Sequence, residues 1–314
     1  MSPRTSTACG TRSSRGRATP TSREISAAHL EGLARSALRE DRASRDRTTR
    51  LLLVRSIPAE ARVVAQGYGV LSGMAAARAT ARAQGLTVVT ARRDGSAVRP
   101  GTVVLRLRGD ARRILAAERT ILNFLMHASG VATETHRAVL GARGARRPLE
   151  VWATRKTLPG LRDLEKAAVV HGGGHPHRRD LSDAVLIKNN HLALLSLPNA
   201  VARARARARS DEPVEVEVRT AAQAVTAARA GADALLIDNV SPQRARGIVQ
   251  RLEREDLRRG RWVELSGGIT PERVPLYRSV GADAVSLGGL THSAPALPFH
   301  LILRPTPRLR HRAA

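Results

Sequence analysis

The chain after residue 148 alternates short, apolar, β-branched runs with helical stretches, and this alternation constrains the fold more than any other feature. The runs fall at 149–153, 184–187, 214–218, 234–237, 262–265 and 284–287. The helical stretches between most of them fall at 161–171, 199–209, 221–230, 242–252 and 271–280. Strands that alternate with helices form a parallel sheet with right-handed crossovers. No G-x-G-x-x-G and no P-loop lysine motif follows a strand. A closed or nearly closed βα-barrel is therefore favoured over a Rossmann sheet.

Residues 23–110 show a different pattern. A polar helix over 26–40 precedes β-rich runs near 62–66, 86–90 and 102–107, which Gly and Pro residues separate. A long helical stretch over 111–140 then leads to the first barrel strand. We therefore predict a compact α+β unit ahead of the barrel.

Residues 1–22 and the longest apolar runs bear on secretion and on membrane insertion. Residues 1–22 are rich in Ser, Thr and Arg, contain no acidic residue and lack the apolar centre of a signal peptide, which predicts a solvated, disordered basic tail. No apolar run approaches the roughly 18–20 residues that a membrane span needs. The single cysteine, Cys9, excludes an intrachain disulfide and a multi-cysteine metal site. We expect a cytoplasmic protein that does not enter a membrane.

The charge is strongly basic, with 53 Lys and Arg residues against 27 Asp and Glu. Only Lys156, Lys166 and Lys188 are lysines, so arginine supplies nearly all of the positive charge. Clustered arginine binds phosphates, which keeps a catalytically inactive, Arg-rich nucleic-acid binder as an alternative. The aromatic residues make up 2% of the chain and are scattered singly, whereas single-strand binding needs grouped stacking platforms. Nucleic acid is therefore not the favoured partner.

Polar residues and glycines follow every predicted barrel strand. In chain order they are 154–157 (TRKT), 188–191 (KNNH), Glu215 and Glu217, Asp238 and Asn239, 266–268 (SGG), and Gly288 and Gly289. The carboxyl ends of parallel strands form the rim on which βα-barrels build active sites. The two glutamates alternate with valines and so share one face of their strand. Two alternatives stay open: the glutamates face solvent on an edge strand, or Asp238 and Asn239 cap the next helix.

The predicted rim combines cations, acids and glycine turns. The cations are Arg155, Lys156, Arg178 and Lys188, and the acids are Glu217 and Asp238. This set suits a polyanionic substrate that contains phosphates, with a divalent ion held partly by that substrate. A zinc site at His175 and His177 is disfavoured because no third ligand has suitable spacing. No nucleophile–base pair stands out, so we expect group transfer through electrostatic stabilisation.

Seven strings in this order resemble the quinolinate phosphoribosyltransferase family over residues 26–303. They are ERTILNFLMHASGVAT (118–133), ATRKTLPGLRDLEKAAVVHGGGHPHR (153–178), DAVLIKNNH (183–191), VEVEV, LLIDN, ELSGGIT and THSAPALP. The resemblance implies an α/β fold with an N-terminal α/β sandwich domain over 23–128, onto which 291–314 packs. It implies an incomplete βα-barrel of six parallel strands over 129–290. It also implies a homodimer, or a hexamer built from dimers, with shared active sites.

The resemblance also implies a role for individual residues. Arg119 would reach quinolinate from the partner subunit. The groups that grip the substrate carboxylates would be Thr154, Arg155, Lys156, His177 and Arg178. Lys188 would contact phosphoribosyl pyrophosphate, while Glu217 and Asp238 would face the ribose hydroxyls and Mg²⁺. The 5′-phosphate would lie on Ser266, Gly267, Gly268, Leu287, Gly288 and Gly289. The catalytic groups would be Lys156, Lys188, Glu217 and Asp238.

The implied reaction transfers phosphoribosyl from phosphoribosyl pyrophosphate to quinolinate and releases CO₂. Its products are nicotinate mononucleotide and pyrophosphate, and it belongs to NAD biosynthesis. Mg²⁺ is the expected cofactor. The chain departs from the family at Asn189, where aspartate is usual. A diverged paralogue of the molybdenum-locus type, with another substrate, is the alternative enzyme.

Overall fold

The computed structural model of the protein describes residues 25–144 and 148–306. The predicted basic tail, 1–22, lies outside the described residues, as does the predicted C-terminal segment beyond residue 306.

Within the described residues the chain forms strands, α-helices and two 3-10 helices. The strands are β1 (Pro58–Ala65), β2 (Gly69–Val70), β3 (Thr87–Ala91), β4 (Ala97–Val98), β5 (Val103–Asp110), β6 (Glu150–Trp152), β7 (Val185–Ile187), β8 (Val214–Val218), β9 (Ala234–Asp238), β10 (Trp262–Ser266), β11 (Ala284–Ser286) and β12 (Phe299–Pro305). The α-helices are α1 (Ala27–Glu40), α2 (Arg47–Leu52), α3 (Met74–Ala83), α4 (Ala111–Ala142), α5 (Arg162–His171), α6 (Asn189–Leu192), α7 (Leu197–Arg207), α8 (Ala221–Arg229), α9 (Pro242–Arg254) and α10 (Gly289–His292). The 3-10 helices are Ala43–Arg45 and Pro271–Tyr277.

The second half of the chain forms one sheet of six parallel strands in the order β6-β11-β10-β9-β8-β7. The end strands β6 and β7 do not pair with each other among the described strands, so the barrel is open on that side. This confirms the predicted incomplete βα-barrel.

The barrel strands are buried on both faces, as parallel strands covered by helices are. On β8, Val214, Val216 and Val218 pack in the core between the sheet and its helices. The helices begin where the sequence supplies capping side chains: Thr220 accepts from the backbone of α8 and Ser241 from that of α9. The helix expected over 271–280 is instead the shorter 3-10 helix Pro271–Tyr277, because Pro275 lies inside it and cannot donate a backbone hydrogen bond.

The first half of the chain forms a separate antiparallel sheet in the order β12-β1-β5-β3. Helix α4 joins the two units, since Ile114 and Ile121 pack with this sheet and Ala138 and Ala142 pack in the barrel core. The helix α3 and the strand β12 are the longest of the elements that the sequence analysis does not predict. Among the described residues, no helix combines the length and apolar composition that crossing a membrane requires.

Candidate active site

The carboxyl ends of β6 to β11 lie along one edge of the barrel sheet because all six strands are parallel. In spatial order this rim carries the residues 154–157, 287–289, 266–268, 238–239, 217–219 and 188–191. The fold therefore places the predicted segments on one rim, and the order of the strands in the sheet decides which segments are neighbours.

Glu217 is the centre of a contact group at the β7–β8 end of the rim. Its side chain is only 9% exposed, and its Oε2 lies 3.3 Å from Nζ of Lys188. Nδ2 of Asn189 donates a hydrogen bond to the other oxygen, Oε1. The carboxylate thus faces the barrel mouth with a cation and an amide against it. It does not face solvent on an edge strand, because β8 lies inside the sheet.

Asp238 is paired with an arginine that the sequence prediction does not single out. Nη2 of Arg219, directly after β8, lies 3.1 Å from Oδ2 of Asp238. The alternative role of Asp238 and Asn239 as a helix cap is wrong, since Ser241 caps α9. The backbone of Asn239 instead has φ +55° and donates to the carbonyl of Ser266 at 2.9 Å. This contact ties two neighbouring rim segments together.

The glycine turns allow close approach of other rim segments. Gly267 has φ +88°, and a Cβ there would lie 2.5 Å from the backbone nitrogen of Asn239, so only glycine fits. A Cβ on Gly288 would lie 2.9 Å from Cδ of Lys156, which places the stem of that lysine over the turn after β11. Oγ1 of Thr291 donates to the carbonyl of Lys156 at 2.7 Å and holds the two segments together.

Arg155 follows β6, and Arg178 lies on the open side of the barrel between β6 and β7. Arg155 is half-buried, and its Nε is buried with no hydrogen-bond partner among the residues that the structure describes. A buried donor without a hydrogen-bond partner destabilises the folded protein. A carboxylate ligand would supply the missing acceptor. Arg178 is buried and donates from Nη1 to the carbonyl of Ala184 at 3.0 Å.

His177 is buried rather than open at the rim, since only 5% of its surface is exposed. Its Nε2 is 3.3 Å from Oε1 of Glu264, and Glu215 completes a group whose ligand atoms lie within 4.8 Å of one another. The fold thus supplies acids near this histidine that spacing along the chain does not reveal. However, Nδ1 accepts from the backbone N–H of Arg178 at 2.6 Å. In a neutral ring the proton then sits on Nε2, which favours donation to a carboxylate over binding of a metal.

Arg119 is not brought to the rim by any contact of the described residues. It lies in the first half of α4, is exposed, and makes no hydrogen bond or ion pair with the described part of the chain. Its helical neighbours Ile121 and Leu122 pack with the N-terminal sheet.

The acids Glu217 and Asp238 fit a Mg²⁺ ion that arrives with phosphate ligands. They end neighbouring strands, β8 and β9, and supply the carboxylate oxygens that Mg²⁺ prefers. Oδ1 of Asp238 accepts no hydrogen bond from the described residues, so it is available to a ligand. The adjacent Lys188 and Arg219 suit the anions that would complete the coordination.

Comparisons with known proteins agree over most of the described chain. Residues 46–129 match the family model of the quinolinate phosphoribosyl transferase N-terminal domain, and residues 131–302 match that of the C-terminal domain. The chain is 40% identical over 273 residues to the probable nicotinate-nucleotide pyrophosphorylase [carboxylating] of Methanothermobacter thermautotrophicus, covering 87% of this chain and 98% of that one. It is 36% identical over 247 residues to the human nicotinate-nucleotide pyrophosphorylase [carboxylating], covering 78% of this chain and 82% of that one. The crystal structure of NadC from Streptococcus pyogenes superposes with a TM-score of 0.82 at 35% identity, covering 91% of this chain and all of that one.

Proposed function

This chain belongs to the quinolinate phosphoribosyltransferase family, and we propose that it transfers phosphoribosyl from phosphoribosyl pyrophosphate to quinolinate with loss of CO₂. The observation that carries the proposal is the rim, where cations, a buried carboxylate and glycine turns meet at the mouth of the barrel. A pentosyltransferase of NAD biosynthesis needs this combination, because its substrates bring two carboxylates and three phosphates into one site.

The quinolinate carboxylates would bind at the β6 end. Arg155 offers its buried Nε there. Thr154 and Lys156 lie on the same segment, and Arg178 approaches from the open side of the barrel. A pyridine dicarboxylate held by planar guanidinium groups is fixed in orientation as well as position. Because His177 is buried, it would contact the quinolinate carboxylates from beneath these groups and not from the exposed rim.

Phosphoribosyl pyrophosphate would lie across the middle of the rim. Its 5′-phosphate would rest on the turns 266–268 and 287–289, where Gly268 has open space around it and Lys156 lies over Gly288. Its ribose hydroxyls would face Glu217 and Asp238, with Lys188 beside the pyrophosphate. Mg²⁺ bound with the pyrophosphate would supply positive charge that stabilises the leaving group.

The chemistry then needs orientation and charge rather than a covalent intermediate. The nitrogen lone pair of quinolinate forms a bond to C1′ as the bond from C1′ to the pyrophosphate oxygen breaks. The ring nitrogen becomes quaternary, so the electrons of the adjacent carbon–carboxylate bond move onto the ring carbon as CO₂ leaves. That carbon takes up a proton and nicotinate mononucleotide results. Lys156 and Lys188 would neutralise the developing phosphate charge.

The assembly and the location of the protein are part of the proposal. Arg119 is exposed on the part of α4 that packs with the N-terminal sheet, which supports a homodimer in which it serves the partner's site. A hexamer of such dimers would keep the same shared sites. We expect the protein in the cytoplasm. The similarity to relatives named as carboxylating pyrophosphorylases does not favour a paralogue with another substrate.

A product assay tests the function directly. Purified protein with quinolinate, phosphoribosyl pyrophosphate and Mg²⁺ should yield nicotinate mononucleotide, pyrophosphate and CO₂ in equal amounts, measured by chromatography and by release of labelled CO₂. The affinity for quinolinate and phosphoribosyl pyrophosphate should not change when DNA is added. A protein whose main ligand is nucleic acid would instead bind the DNA and lose affinity for both substrates. Absence of product from quinolinate, with turnover of another pyridine or pyrimidine acid, would contradict the proposal.

Glu217 supplies the carboxylate at the end of β8. Glu217→Gln should weaken phosphoribosyl pyrophosphate binding by about tenfold or more, because it removes a charged acceptor of hydrogen bonds. It should also raise the Mg²⁺ concentration needed for half-maximal rate, while quinolinate binding changes by less than about twofold. Initial rates over a Mg²⁺ series would measure both effects. The matched control is Glu60→Gln, which alters a half-buried, ion-paired glutamate on the N-terminal sheet, far from the barrel strands.

Asn189→Asp should shift the same Mg²⁺ series in the opposite direction. Asn189 donates to Glu217, and an aspartate there would replace that donor by a second carboxylate beside the first. More negative charge attracts a divalent cation more strongly, so half-maximal rate should require less Mg²⁺. If both variants keep the Mg²⁺ dependence of the wild type, these groups do not face the metal.

A further inference from the structure

Lys166 is the one lysine of the chain that the proposed reaction does not use, and its ammonium group lies inside the protein. It belongs to α5 and is 6% exposed. Nζ donates to the carbonyl of Pro176, and the carbonyl of His177 lies 3.5 Å away. Burial of a lysine is costly unless its donors are bound, so these carbonyls are what keep it there.

The two carbonyls belong to residues 174–178, which we call the gap segment because it spans the open side of the barrel. At one end, His175 pairs with the free edge of β6: its N–H donates to Val151 and its carbonyl accepts from Ala153, both at 2.8 Å. At the other end, the Arg178 side chain donates to Ala184, immediately before β7. Lys166 binds the middle of this bridge between the two end strands.

The middle of the gap segment has a conformation that needs support. His177 has φ +56°, which is uncommon for a residue with a side chain. Such a residue persists when its surroundings hold it. Its ring accepts from the N–H of Arg178, and its carbonyl lies by Lys166. Lys166 therefore contacts the backbone at the turn that orients both His177 and Arg178.

We propose that Lys166 is a positioning residue for quinolinate: its ammonium group holds the gap segment and thereby sets His177 and Arg178 toward the substrate carboxylates. This inference rests on the proposed function, since it takes quinolinate as the ligand. Lys166 touches neither substrate, so its effect is confined to the subsite that the gap segment builds. Binding of phosphoribosyl pyrophosphate, across the middle of the rim, is independent of it.

The charge of Lys166 changes within an accessible pH range. Burial is the main cause that lowers the pKa of Lys166 to about 8, and the nearby Arg162 lowers it further. The other charged groups that act on its pKa are Arg155, Asp163 and Asp183. The same cavity, of about 720 Å³, is also lined by the titratable groups Asp94, His171, His177, Arg179, Asp180 and Arg209. Between pH 7 and pH 9 the ammonium becomes an amine, whose hydrogen bonds to carbonyls are weaker. The quinolinate Kd should rise over this range.

The contribution of Lys166 to the stability of the fold should increase over this pH range, although quinolinate binding weakens. In the unfolded chain the lysine pKa has its ordinary value of 10.5, so above pH 8 the unfolded state holds more protons than the folded state. The contribution of Lys166 to the free energy of unfolding therefore increases as the pH rises from 8 toward 10.5. Deprotonation of Lys166 therefore does not by itself favour unfolding at pH 9.

The experiment titrates each substrate separately, by calorimetry, into the full-length wild type and three variants at pH 7 and pH 9. Lys166→Met keeps the apolar stem and should weaken quinolinate binding at pH 7 by about tenfold, equivalent to 1.4 kcal/mol. Lys166→Gln keeps a neutral donor and should lose less, and in both variants the rise in Kd between the two pH values should disappear. Arg244→Gln, which removes one positive charge from the exposed face of α9, should behave as the wild type. Phosphoribosyl pyrophosphate should bind all four proteins alike.

The wild type alone provides a second test, should the variants fold poorly. Labelling with ¹⁵N-lysine gives only three Nζ signals, because the chain has only three lysines. One should titrate near pH 8 in parallel with the quinolinate Kd. A quinolinate Kd that is equal at pH 7 and pH 9, or an equal loss for both substrates in Lys166→Met, would overturn the positioning role. A wild type that binds no quinolinate would instead contradict the proposed function.

Discussion

Mixing two inactive variants, Arg119→Ala and Lys188→Ala, will restore about a quarter of the active sites of the wild type. Each variant alone should be inactive, because every site then lacks one of the two residues. The reason lies in where the fold puts them. Lys188 follows β7 at the barrel rim, whereas Arg119 is an exposed residue on the part of α4 that packs with the N-terminal sheet.

The value of a quarter follows from two-fold symmetry. Random exchange makes about half of the dimers mixed. If Arg119 serves the partner's barrel, each mixed dimer holds one site with both residues intact and one site with neither. The measurement is the specific activity after subunit exchange, with exchange verified by pull-down through a tag on one variant.

A matched control uses two residues of the same barrel. Mixing Glu217→Ala with Lys188→Ala should restore nothing, because Glu217 and Lys188 contact each other within one chain and every site lacks one of them. Zero recovery from the Arg119 mixture, with exchange demonstrated, would show that Arg119 does not serve a neighbouring site.

Arg155→Ala should weaken quinolinate binding by ~1.5–3 kcal/mol, the range for a hydrogen bond to a charged group. This corresponds to a rise in Kd of about tenfold to one hundredfold. The structure supplies the reason: Nε of Arg155 is buried without a hydrogen-bond partner among the described residues, so a bound carboxylate satisfies it. Calorimetric titration with quinolinate measures the change.

Two comparisons separate this role from a general effect of charge. Arg155→Lys keeps the charge but loses the planar fork, so it should restore only part of the affinity. Arg244→Ala, on the exposed face of α9, should leave quinolinate binding unchanged. The wild type should also discriminate against nicotinic acid, which has one carboxylate; equal use of both acids would rule out the assigned clamp.

The barrel and its rim could be predicted because their determinants are local. Each strand is a short apolar run, and the polar residue that follows it is adjacent in the chain, so parallel order alone brings Lys188 and Glu217 together. The proline inside 271–277 is also a local signal, and it explains why that helix is short. A local signal still has to be weighed correctly, because the predicted helix runs past Pro275 to residue 280.

Other contacts depend on elements that are distant in the chain. Arg219 pairs with Asp238, but in a chain so rich in arginine nothing distinguishes this one. The burial of His177 and Lys166 follows from the gap segment entering the open side of the barrel, which no spacing along the chain reveals. Glu215 on β8 and Glu264 on β10 meet His177 although β9 lies between these two strands, and no spacing along the chain reveals that contact.

The pairing of β12 with β1 makes the order of synthesis matter for this protein. Ala59 pairs with Pro305, so the N-terminal sheet lacks its outer strand until residue 305 has left the ribosome. Throughout translation of the barrel, β1 presents an unpaired edge, the kind of surface that promotes association between nascent chains. Closing such a long loop is also slow compared with forming the local strand–helix units of the barrel. A chain cut before residue 299 would therefore keep every rim residue and still leave β1 open to any strand that reaches it first.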